Sequence, residues 1–249
     1  MRERPAARHV FVDGTIPEDG PFSIVGPTHH HMAAVVRVRP GDALILRDSD
    51  GGASAGEVVE VRRRELVVRV VGPAPSPPAP PCRITVAQAP GKGDRFERVL
   101  QHGAEIGVER FVPLISDRTV PEWSHHGIEA KMDRWRLVLT SAAEQSRRDR
   151  VPRVLPPHAP IEAARVLQAD AALMLLDASG PPMLRPGALP SSDSYAVFVG
   201  PEGGFSASEK SDLISAVCSP VSLGPYVLRT ETAALAASAI LIALAAARD

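Results

Sequence analysis

A proline-rich stretch constrains the fold of this chain more than any other feature of its sequence. Six of the ten residues from Gly72 to Pro81 are proline, in the order GPAPSPPAPP. Proline donates no backbone hydrogen bond and does not fit inside a helix, so neither a helix nor a central strand can run through residues 73–81. The stretch favours an extended, semi-rigid spacer. We therefore predict one domain over residues 1–72, a linker over residues 73–81 and a second domain over residues 82–249.

The two predicted domains differ in the pattern of their apolar residues. Before the linker, short apolar runs alternate with Gly, Asp and Pro, which is typical of a small β-barrel. After it, strand-like runs alternate with helical patterns, which predicts an α/β domain with a largely parallel sheet. The runs are 10–12, 33–38, 43–46, 57–61 and 66–71 in the first domain, and 84–89, 111–115, 171–176, 196–199 and 221–223 in the second.

Charge and composition limit the possible partners. The chain has 28 Lys+Arg against 29 Asp+Glu, so any nucleic acid must be bound by a local basic patch. Cys82 and Cys218 have no CxxC spacing, which favours a reducing, cytoplasmic compartment. The longest apolar run, residues 233–247, is shorter than the ~20 residues that a membrane helix needs, so we expect no membrane partner.

Two strand–loop–helix junctions near the C-terminus predict a composite ligand pocket. The sequence GPEGG at residues 200–204 follows an apolar strand and precedes a capping box that begins at Ser206. The sequence LGPYVLRTET at residues 223–232 leads into an almost wholly apolar helix that starts near Thr230. In α/β folds, ligands bind at the carboxyl ends of the strands. Neither loop has the pattern of a dinucleotide fingerprint or a phosphate loop.

These two loops resemble those of the RsmE-type 16S rRNA (uracil-N3) methyltransferases of the SPOUT superfamily, and the resemblance covers nearly the whole chain. It includes KGDR at residues 92–95, EIGV at 105–108, PLISDR at 113–118 and AEQS at 143–146, with His31 and PGD at 40–42 in the first domain. The resemblance implies a PUA-like RNA-binding β-barrel followed by a SPOUT α/β domain with a C-terminal trefoil knot. It also implies a homodimer that acts on 16S rRNA or the small ribosomal subunit.

The resemblance also implies which residues bind S-adenosylmethionine. Three loops would hold it, one after each of three strands, and Tyr226 stands where many relatives have arginine. The implied cofactor residues are Leu175, Leu176, Gly200, Pro201, Glu202, Gly203, Gly204, Leu223, Gly224, Tyr226, Val227, Leu228 and Thr230.

A set of basic residues predicts an RNA track. Residues 83–153 carry 13 basic and 10 acidic groups, whereas residues 154–249 carry 5 and 9, so the positive charge is concentrated in the first half of the second domain. Arginines grouped in this way can bind phosphates. Arg147 stands where relatives usually have glycine. The predicted RNA-binding residues are Arg8, Arg37, Arg39, Lys92, Arg95, Arg118, Arg147, Arg148 and Arg150.

Methylation at N3 of uridine requires removal of the N3 proton, since the nitrogen lone pair becomes available only then. Arg229 is predicted to stabilise the developing anion, and Glu231 or Glu202 to act as the base or to orient the reactants. Glu202 has a second interpretation, in which it only holds its own glycine loop. Because N3 lies on the Watson–Crick edge, the target must be unpaired or flipped out.

Other interpretations of the sequence are disfavoured. A catalytically silent, rRNA-binding assembly factor of the same fold is the main alternative, and the intact loops disfavour it. A small-molecule methyltransferase would leave the barrel and the arginines without a role. Adjacent histidines at residues 29–31 point in different directions and no second cluster accompanies them, so no metal is expected. The GxSxG pattern at residues 52–56 is predicted to be a hairpin turn and not a hydrolase nucleophile.

Overall fold

The computed structural model of the chain describes residues 7–48, 51–119, 125–185 and 189–248, apart from the side chains of His125 and His126. The chain divides into two compact units. The first consists of the described residues of Met1–Pro78 together with Ala143–Val151, and the second of those of Ala79–Ala142 and Pro152–Asp249.

The first unit contains a five-stranded, mainly antiparallel sheet. Its order is β1-β3-β4-β5-β2, and only the pairing of β1 with β3 is parallel. Alternate side chains point to one face and form a core of buried aliphatic residues, as the period of two in the apolar runs requires. The strands are β1 (Arg8–Phe11), β2 (Gly20–Val25), β3 (Ala43–Arg47), β4 (Ala53–Val61) and β5 (Glu65–Pro73).

The apolar run at residues 33–38 was predicted as a strand, and that prediction is wrong. Helix α1 (Gly26–His30) continues into a π-helical segment (His31–Val36) that ends at Arg37, whose φ is 57°. Met32 is 1% exposed and packs in the core of the sheet, whereas Val35 is 65% exposed. A helical path is favoured because it places one large apolar side chain into the core while its neighbours face solvent.

Two further details of this unit differ from the sequence-based expectation. The apolar pattern did not predict β2, because its glycine and proline weaken the strand signal; β2 is an edge strand, where proline is tolerated. The hairpin turn lies before residues 53–56, not within them. The backbone N–H of Gly51 donates to the carbonyl of Asp48 at 3.3 Å, and β4 has already begun at Ala53.

The second unit contains a six-stranded sheet in the order β11-β9-β10-β6-β7-β8, with every pairing parallel. This confirms the predicted α/β class. The strands are β6 (Arg83–Gln88), β7 (Arg110–Pro113), β8 (Arg153–Val154), β9 (Ala172–Leu176), β10 (Ser194–Val199) and β11 (Ser219–Val221). The helices are α2 (Arg95–Ile106), α3 (His125–Gln145), α4 (Pro160–Leu167), α5 (Ala207–Ser215) and α6 (Thr230–Ala246).

The helices of the second unit cover both faces of its sheet. Side chains of α4 and α5 share one core with the strands, whereas α6 packs against α2, β10 and β6. Trp135 of α3 makes an edge-to-face contact with Phe96 of α2, with ring centroids 4.7 Å apart. This tryptophan lies on the apolar stripe of α3, which predicts its burial, and it is 4% exposed. Helices on both faces are what a buried parallel sheet requires.

Helix ends follow the local sequence signals with one exception. Gly107 ends α2 with a φ of 121°, which an L side chain rarely adopts. Ser206 and Glu209 form the predicted capping box at the start of α5. Asp94, a residue type that often caps helices, directly precedes α2, but its carboxylate makes no capping hydrogen bond and instead accepts from Arg98.

Helix α6 begins at Thr230 as predicted, but it is buried along one face only. Thr230, Ala234, Ala237 and Leu241 lie on the buried face. Several large apolar side chains on its other faces are only half buried, namely Leu235, Ile240, Ile242 and Leu244. Its almost wholly apolar sequence predicts burial on most sides, and within the single chain this expectation is not met.

Candidate functional site

A cavity of about 530 Å³ lies in the second unit at the carboxyl ends of three neighbouring strands. Strands β9, β10 and β11 are adjacent in the sheet, and each is followed by a loop that lines the cavity. Parallel strands bring their carboxyl ends to one edge, so loops that are distant in sequence converge there. The cavity is large enough for a nucleoside-sized ligand.

The cavity lining includes nearly all of the residues that were predicted to bind the cofactor. Leu175 is the exception, because its side chain is fully buried in the core of the sheet. Of the predicted catalytic residues, Glu202 and Arg229 line the cavity and Glu231 does not; its carboxylate accepts a hydrogen bond from the Thr230 hydroxyl at 3.2 Å. The predicted residues in the lining are Leu176, Gly200, Pro201, Glu202, Gly203, Gly204, Leu223, Gly224, Tyr226, Val227, Leu228, Arg229 and Thr230.

The glycine loop after β10 is a tight turn that only small residues permit. The N–H of Gly204 donates to the carbonyl of Pro201 at 2.8 Å, and Gly204 has a φ of 69°. A Cβ atom on Gly200 would lie 2.9 Å from the backbone nitrogen of Phe205. A Cβ on Gly203 would meet only the flexible side chain of Arg118, at 3.6 Å. A side chain at Gly200 would thus meet the backbone of the turn, and at Gly204 the φ itself favours glycine.

Two arginines that were predicted to bind RNA contact this loop. Arg95 Nη1 lies 2.7 Å from Glu202 Oε1. Arg118 Nη1 donates to the carbonyl of Gly203, also at 2.7 Å. The Glu202 carboxylate is therefore already engaged, which supports the interpretation that it holds its own loop. Both arginines act on the loop in this structure, and an RNA role for them stays a prediction.

A buried carboxylate fixes the segment that carries Arg118. Glu209, near the start of α5, accepts hydrogen bonds from the hydroxyl of Ser116, the backbone N–H of Asp117 and the backbone N–H of Ser206, at 3.1, 2.9 and 2.8 Å. A carboxylate at a helix N-terminus is also stabilised by the helix dipole. One residue of the capping box thus positions both the start of α5 and the loop that reaches Gly203.

An ion pair borders the cavity on the side of β9. Asp177 Oδ2 lies 2.5 Å from Lys210 Nζ, and Asp177 Oδ1 accepts from the N–H and hydroxyl of Ser179. The hydrogen bond from Lys210, followed by those from Ser179, lowers the pKa of Asp177 to about 2 despite its partial burial. Asp177 directly follows β9, and no local sequence pattern pairs it with Lys210, which lies in α5.

The Asp177 pair predicts a defined dependence of stability on pH. Because the folded-state pKa is depressed, the stabilisation is complete above the ordinary pKa near 4 and is lost as the pH falls toward 2. We expect Asp177→Asn to lower the free energy of unfolding at pH 7 by about 1–2 kcal/mol, allowing for the partly exposed lysine. Urea unfolding at pH 7, 5, 4 and 3 measures the free energy of unfolding. Lys210→Met and the double variant Asp177→Asn with Lys210→Met complete a double-mutant cycle for the ion pair. A difference between wild type and Asp177→Asn that stayed constant down to pH 3 would contradict the assignment.

Arg229 differs from the other cations of the cavity. Arg95 pairs with Glu202 and Lys210 pairs with Asp177. Within the described ranges, no carboxylate lies in ion-pair distance of the Arg229 guanidinium, although the residue is exposed and lines the cavity. It stands at the N-cap of α6 without a side-chain capping bond. Its charge is therefore available to a ligand.

The remaining predicted RNA-binding residues divide between the two units. Lys92 is exposed in the second unit, in the loop before α2. The other six belong to the first unit: Arg8, Arg37, Arg39, Arg147, Arg148 and Arg150.

Residues 143–151 were predicted to belong to the second domain, but they lie in the first unit, where specific contacts hold them. The Glu144 carboxylate accepts from the backbone N–H of Phe11 at 3.2 Å and lies 3.9 Å from His31 Nε2. Burial raises the pKa of Glu144. Arg147 has a φ of 59°, a conformation that glycine adopts readily, and Arg147 and Arg150 are exposed. Both arginines therefore contribute to the exposed surface of the first unit, and the Arg150 guanidinium lies beside Gly51.

The electrostatic surroundings of this basic segment are positive. Desolvation, followed by the charges of Arg47 and Arg147, lowers the pKa of His9. Arg8 Nη1 donates to the carbonyl of Val36, so the exposed Arg8 side chain lies beside the π-helical segment. Clustered guanidinium groups on one surface are suited to phosphate groups, which they can bind in a bidentate manner.

Several lining residues were missing from the sequence-based set. These residues reach the cavity only because of the order of the strands in the sheet, which no local pattern predicts. They are Phe205 and Ser222 in loops, Lys210 in α5 and Ala233 in α6. Among the residues described, no group of three His, Cys, Asp or Glu side chains could hold a metal ion. None of the described helices has the length and apolar character needed to cross a membrane.

The fold and the cavity define an RNA-modifying class of protein. A family model described as an RNA methyltransferase domain matches residues 78–242, and one described as an RNA methyltransferase PUA domain matches residues 26–71. The chain therefore belongs to this family of RNA methyltransferases, which confirms the resemblance seen in the sequence.

Individual relatives sharpen the assignment. The chain is 35% identical to the ribosomal RNA small subunit methyltransferase E of Mycobacterium tuberculosis, over 92% of this chain and 88% of that protein. It is 31% identical to the Bacillus subtilis protein of the same name, over 88% of each. Its structure resembles that of the Neisseria gonorrhoeae ribosomal RNA small subunit methyltransferase E bound to S-adenosyl methionine, with a TM-score of 0.87 and 27% identity over 96% of this chain and 98% of that one.

Proposed function

We propose that this protein transfers a methyl group from S-adenosylmethionine to N3 of a uridine in 16S rRNA of the small ribosomal subunit. The observation that carries the proposal is the cavity formed by three loops after β9, β10 and β11 in a chain that belongs to the RNA methyltransferase family. The Neisseria gonorrhoeae relative, which shares the fold over nearly its whole length, was solved with this cofactor.

The residues present fit such a cofactor. A Cβ at Gly200 would push into the turn, and the neighbouring glycines leave backbone groups uncovered at the cavity wall. The lining combines apolar side chains such as Leu176, Leu223 and Leu228 with backbone groups of the three loops. An adenine ring fits an apolar surface, and a small number of polar groups can fix its orientation. When bound, S-adenosylmethionine supplies an activated methyl group.

Residues of this chain must then orient the uridine and take up its N3 proton. The proton passes through solvent water to one of the two candidate bases, Glu231 or Glu202, and N3 gains the methyl group, so negative charge develops on the ring as the proton leaves. Arg229 is placed to stabilise that charge, since its guanidinium has no carboxylate partner in the described part of the cavity. Glu202 positions the glycine loop through Arg95. Glu231, which lies outside the lining, is assigned to orienting the start of α6 through Thr230.

The domain assignment is also part of the proposal. We assign residues 1–72 to a PUA-like RNA-binding barrel, 73–81 to a linker and 82–249 to a SPOUT domain. A C-terminal trefoil knot is supported by close contacts between two segments that are distant in sequence. Ser222 N–H donates to the carbonyl of Pro181, and Met183 N–H donates to that of Ser222. The segment after β9 thus lies directly against the segment that leads into α6.

The proposed assembly is a cytoplasmic homodimer that binds rRNA. The half-buried apolar side chains of α6 support a second copy of the chain as the covering partner. The exposed arginines of the first unit support contacts with RNA phosphates. The two cysteines are buried free thiols, and burial raises the pKa of Cys218 to about 12, so this thiol stays protonated. Free thiols agree with the reducing compartment of the proposal.

Nucleoside mass spectrometry tests the proposed function directly. We expect 16S rRNA from a strain that lacks this protein to have lost one 3-methyluridine, and the purified protein to restore it in small subunits from that strain. Restoration by wild type and not by Arg229→Ala assigns the activity to the cavity. A deletion strain with an unchanged set of modified nucleosides would contradict the proposal and favour a silent assembly factor.

Neutralising the basic segment of the first unit should weaken RNA binding. We expect Arg147→Gln with Arg150→Gln to reduce affinity several-fold and to make the slope of log K against log salt shallower by about 0.7–0.9 per lost phosphate contact. Arg63→Gln with Arg64→Gln is the matched control, because it removes two exposed arginines from the β4–β5 hairpin of the same unit. Filter binding from 50 to 300 mM salt measures both, and equal slopes in the two double variants would assign Arg147 and Arg150 to ordinary surface.

A further inference from the structure

An exposed aromatic side chain stands at the cavity. Tyr226 is 82% exposed and lines the cavity together with Arg229. Every other aromatic side chain that the structure describes is buried or half buried. Tyr195 shows the usual arrangement: it is 1% exposed, and its hydroxyl donates to the carbonyl of Pro190 and accepts from Arg248.

Nothing in the described part of the chain uses the Tyr226 side chain. Its hydroxyl makes no hydrogen bond there, and its ring makes neither an aromatic nor a cation–π contact. The loop that presents it contains Pro225, whose ring fixes its own φ, and Gly224, which has a φ of 148°. An exposed aromatic ring beside a ligand cavity is suited to bind a flat ligand from solution.

We propose that Tyr226 is the stacking platform for the uridine that is methylated. This inference rests on the proposed function. A base that presents N3 must leave its duplex or loop, and it then loses stacking on its neighbours. Proteins replace that stacking with aromatic side chains. Tyr226 lies three residues before Arg229, so one loop supplies both a face for the ring and a positive charge for its developing anion.

This role differs from the cofactor contact that the sequence predicted at the same position. Backbone groups of the loop can bind the cofactor whatever side chain residue 226 carries. The Tyr226 ring is the part that points to solvent, as its exposure requires. We therefore assign its backbone to the cofactor site and its side chain to the base.

The test compares side chains with and without an aromatic face. We expect Tyr226→Ala and Tyr226→Leu to reduce kcat/KM for unmethylated small subunits about tenfold or more, as base–aromatic stacking implies, and Tyr226→Phe to retain it within twofold. The affinity for S-adenosylmethionine, measured by calorimetry, is expected to change less than twofold in all three variants. Leu184→Ala is the matched control: this side chain is 66% exposed in the same unit and lies outside the cavity lining.

A photochemical experiment supplies a readout other than activity. rRNA transcribed with 5-iodouridine is irradiated with the protein and S-adenosylhomocysteine, and the cross-linked peptide is sequenced by mass spectrometry. We expect the adduct at residue 226 in wild type and Tyr226→Phe, and its loss in Tyr226→Leu.

Four results would overturn the inference. They are a wild-type kcat/KM in Tyr226→Ala, loss of activity in Tyr226→Phe, recovery of Tyr226→Ala by saturating S-adenosylmethionine, and conversion of Tyr226→Ala to a different oligomeric state by light scattering. If instead wild type itself forms no 3-methyluridine, the proposed function fails first, and the two failures are thereby distinguished.

Discussion

Replacing Arg229 with alanine is expected to slow methyl transfer by about 10²-fold under saturating cofactor and RNA. The guanidinium lines the cavity without a carboxylate partner in the described ranges, so its charge is available to the uridine anion. Loss of one preorganised group that stabilises a developing anion costs about 10²–10³-fold in turnover. Arg229→Lys keeps the charge and loses the planar fork, and is expected to fall between wild type and alanine.

The structure predicts that this effect is separate from folding. The Arg229 side chain makes no capping hydrogen bond to α6, and the residue is exposed. The melting temperature of Arg229→Ala should therefore stay within about 2 °C of wild type. Single-turnover rates and thermal melts on the same preparations measure both quantities. Glu231→Gln is the comparison variant. A wild-type rate of methyl transfer in Arg229→Ala, together with a reduced rate in Glu231→Gln, would assign the catalytic role to Glu231 and not to Arg229.

Gly200→Ala is expected to reduce the affinity for S-adenosylmethionine at least 100-fold. The new Cβ would lie 2.9 Å from the nitrogen of Phe205 and 3.2 Å from the carbonyl carbon of Gly204. Backbone atoms of a tight turn cannot move away cheaply, so the loop must change shape, and the expected loss of stability is about 1–3 kcal/mol. Calorimetric titration, with circular dichroism to show that the variant is folded, measures the effect.

Gly203→Ala is the comparison that makes this result specific. Its Cβ would make an ordinary contact with Arg118 Cδ at 3.6 Å, and Gly203 does not have a positive φ. We expect its affinity to fall by no more than a few-fold. Equal losses at Gly200 and Gly203 would mean that any side chain in the loop blocks the ligand, and wild-type affinity in Gly200→Ala would remove the loop from the cofactor site.

Local sequence patterns determined much of the architecture. The prolines of residues 73–81 placed a break near the boundary between the two units, which falls at Pro78. Runs of apolar residues predicted most strands, and the capping box at Ser206 predicted the start of α5. These signals are readable because they act over a few residues, through backbone dihedral angles and the period of side-chain burial. The run at residues 33–38 was misassigned because a short apolar run fits a strand and a helix equally well.

Only the tertiary structure decided how the site is held together. Arg95 and Glu202 are 107 residues apart, and Arg118 and Gly203 are 85 apart, yet each pair is in direct contact. Residues 143–151 belong to the first unit, and Tyr226 is left exposed at the cavity. Such contacts depend on the order of strands in the sheet and on which helix covers which face. The sequence by itself determined which residues lie at the ends of strands. The strand order β11-β9-β10-β6 decided which of those strand ends lie side by side, because the pairing of distant segments depends on the packing of the whole unit and not on a local sequence pattern.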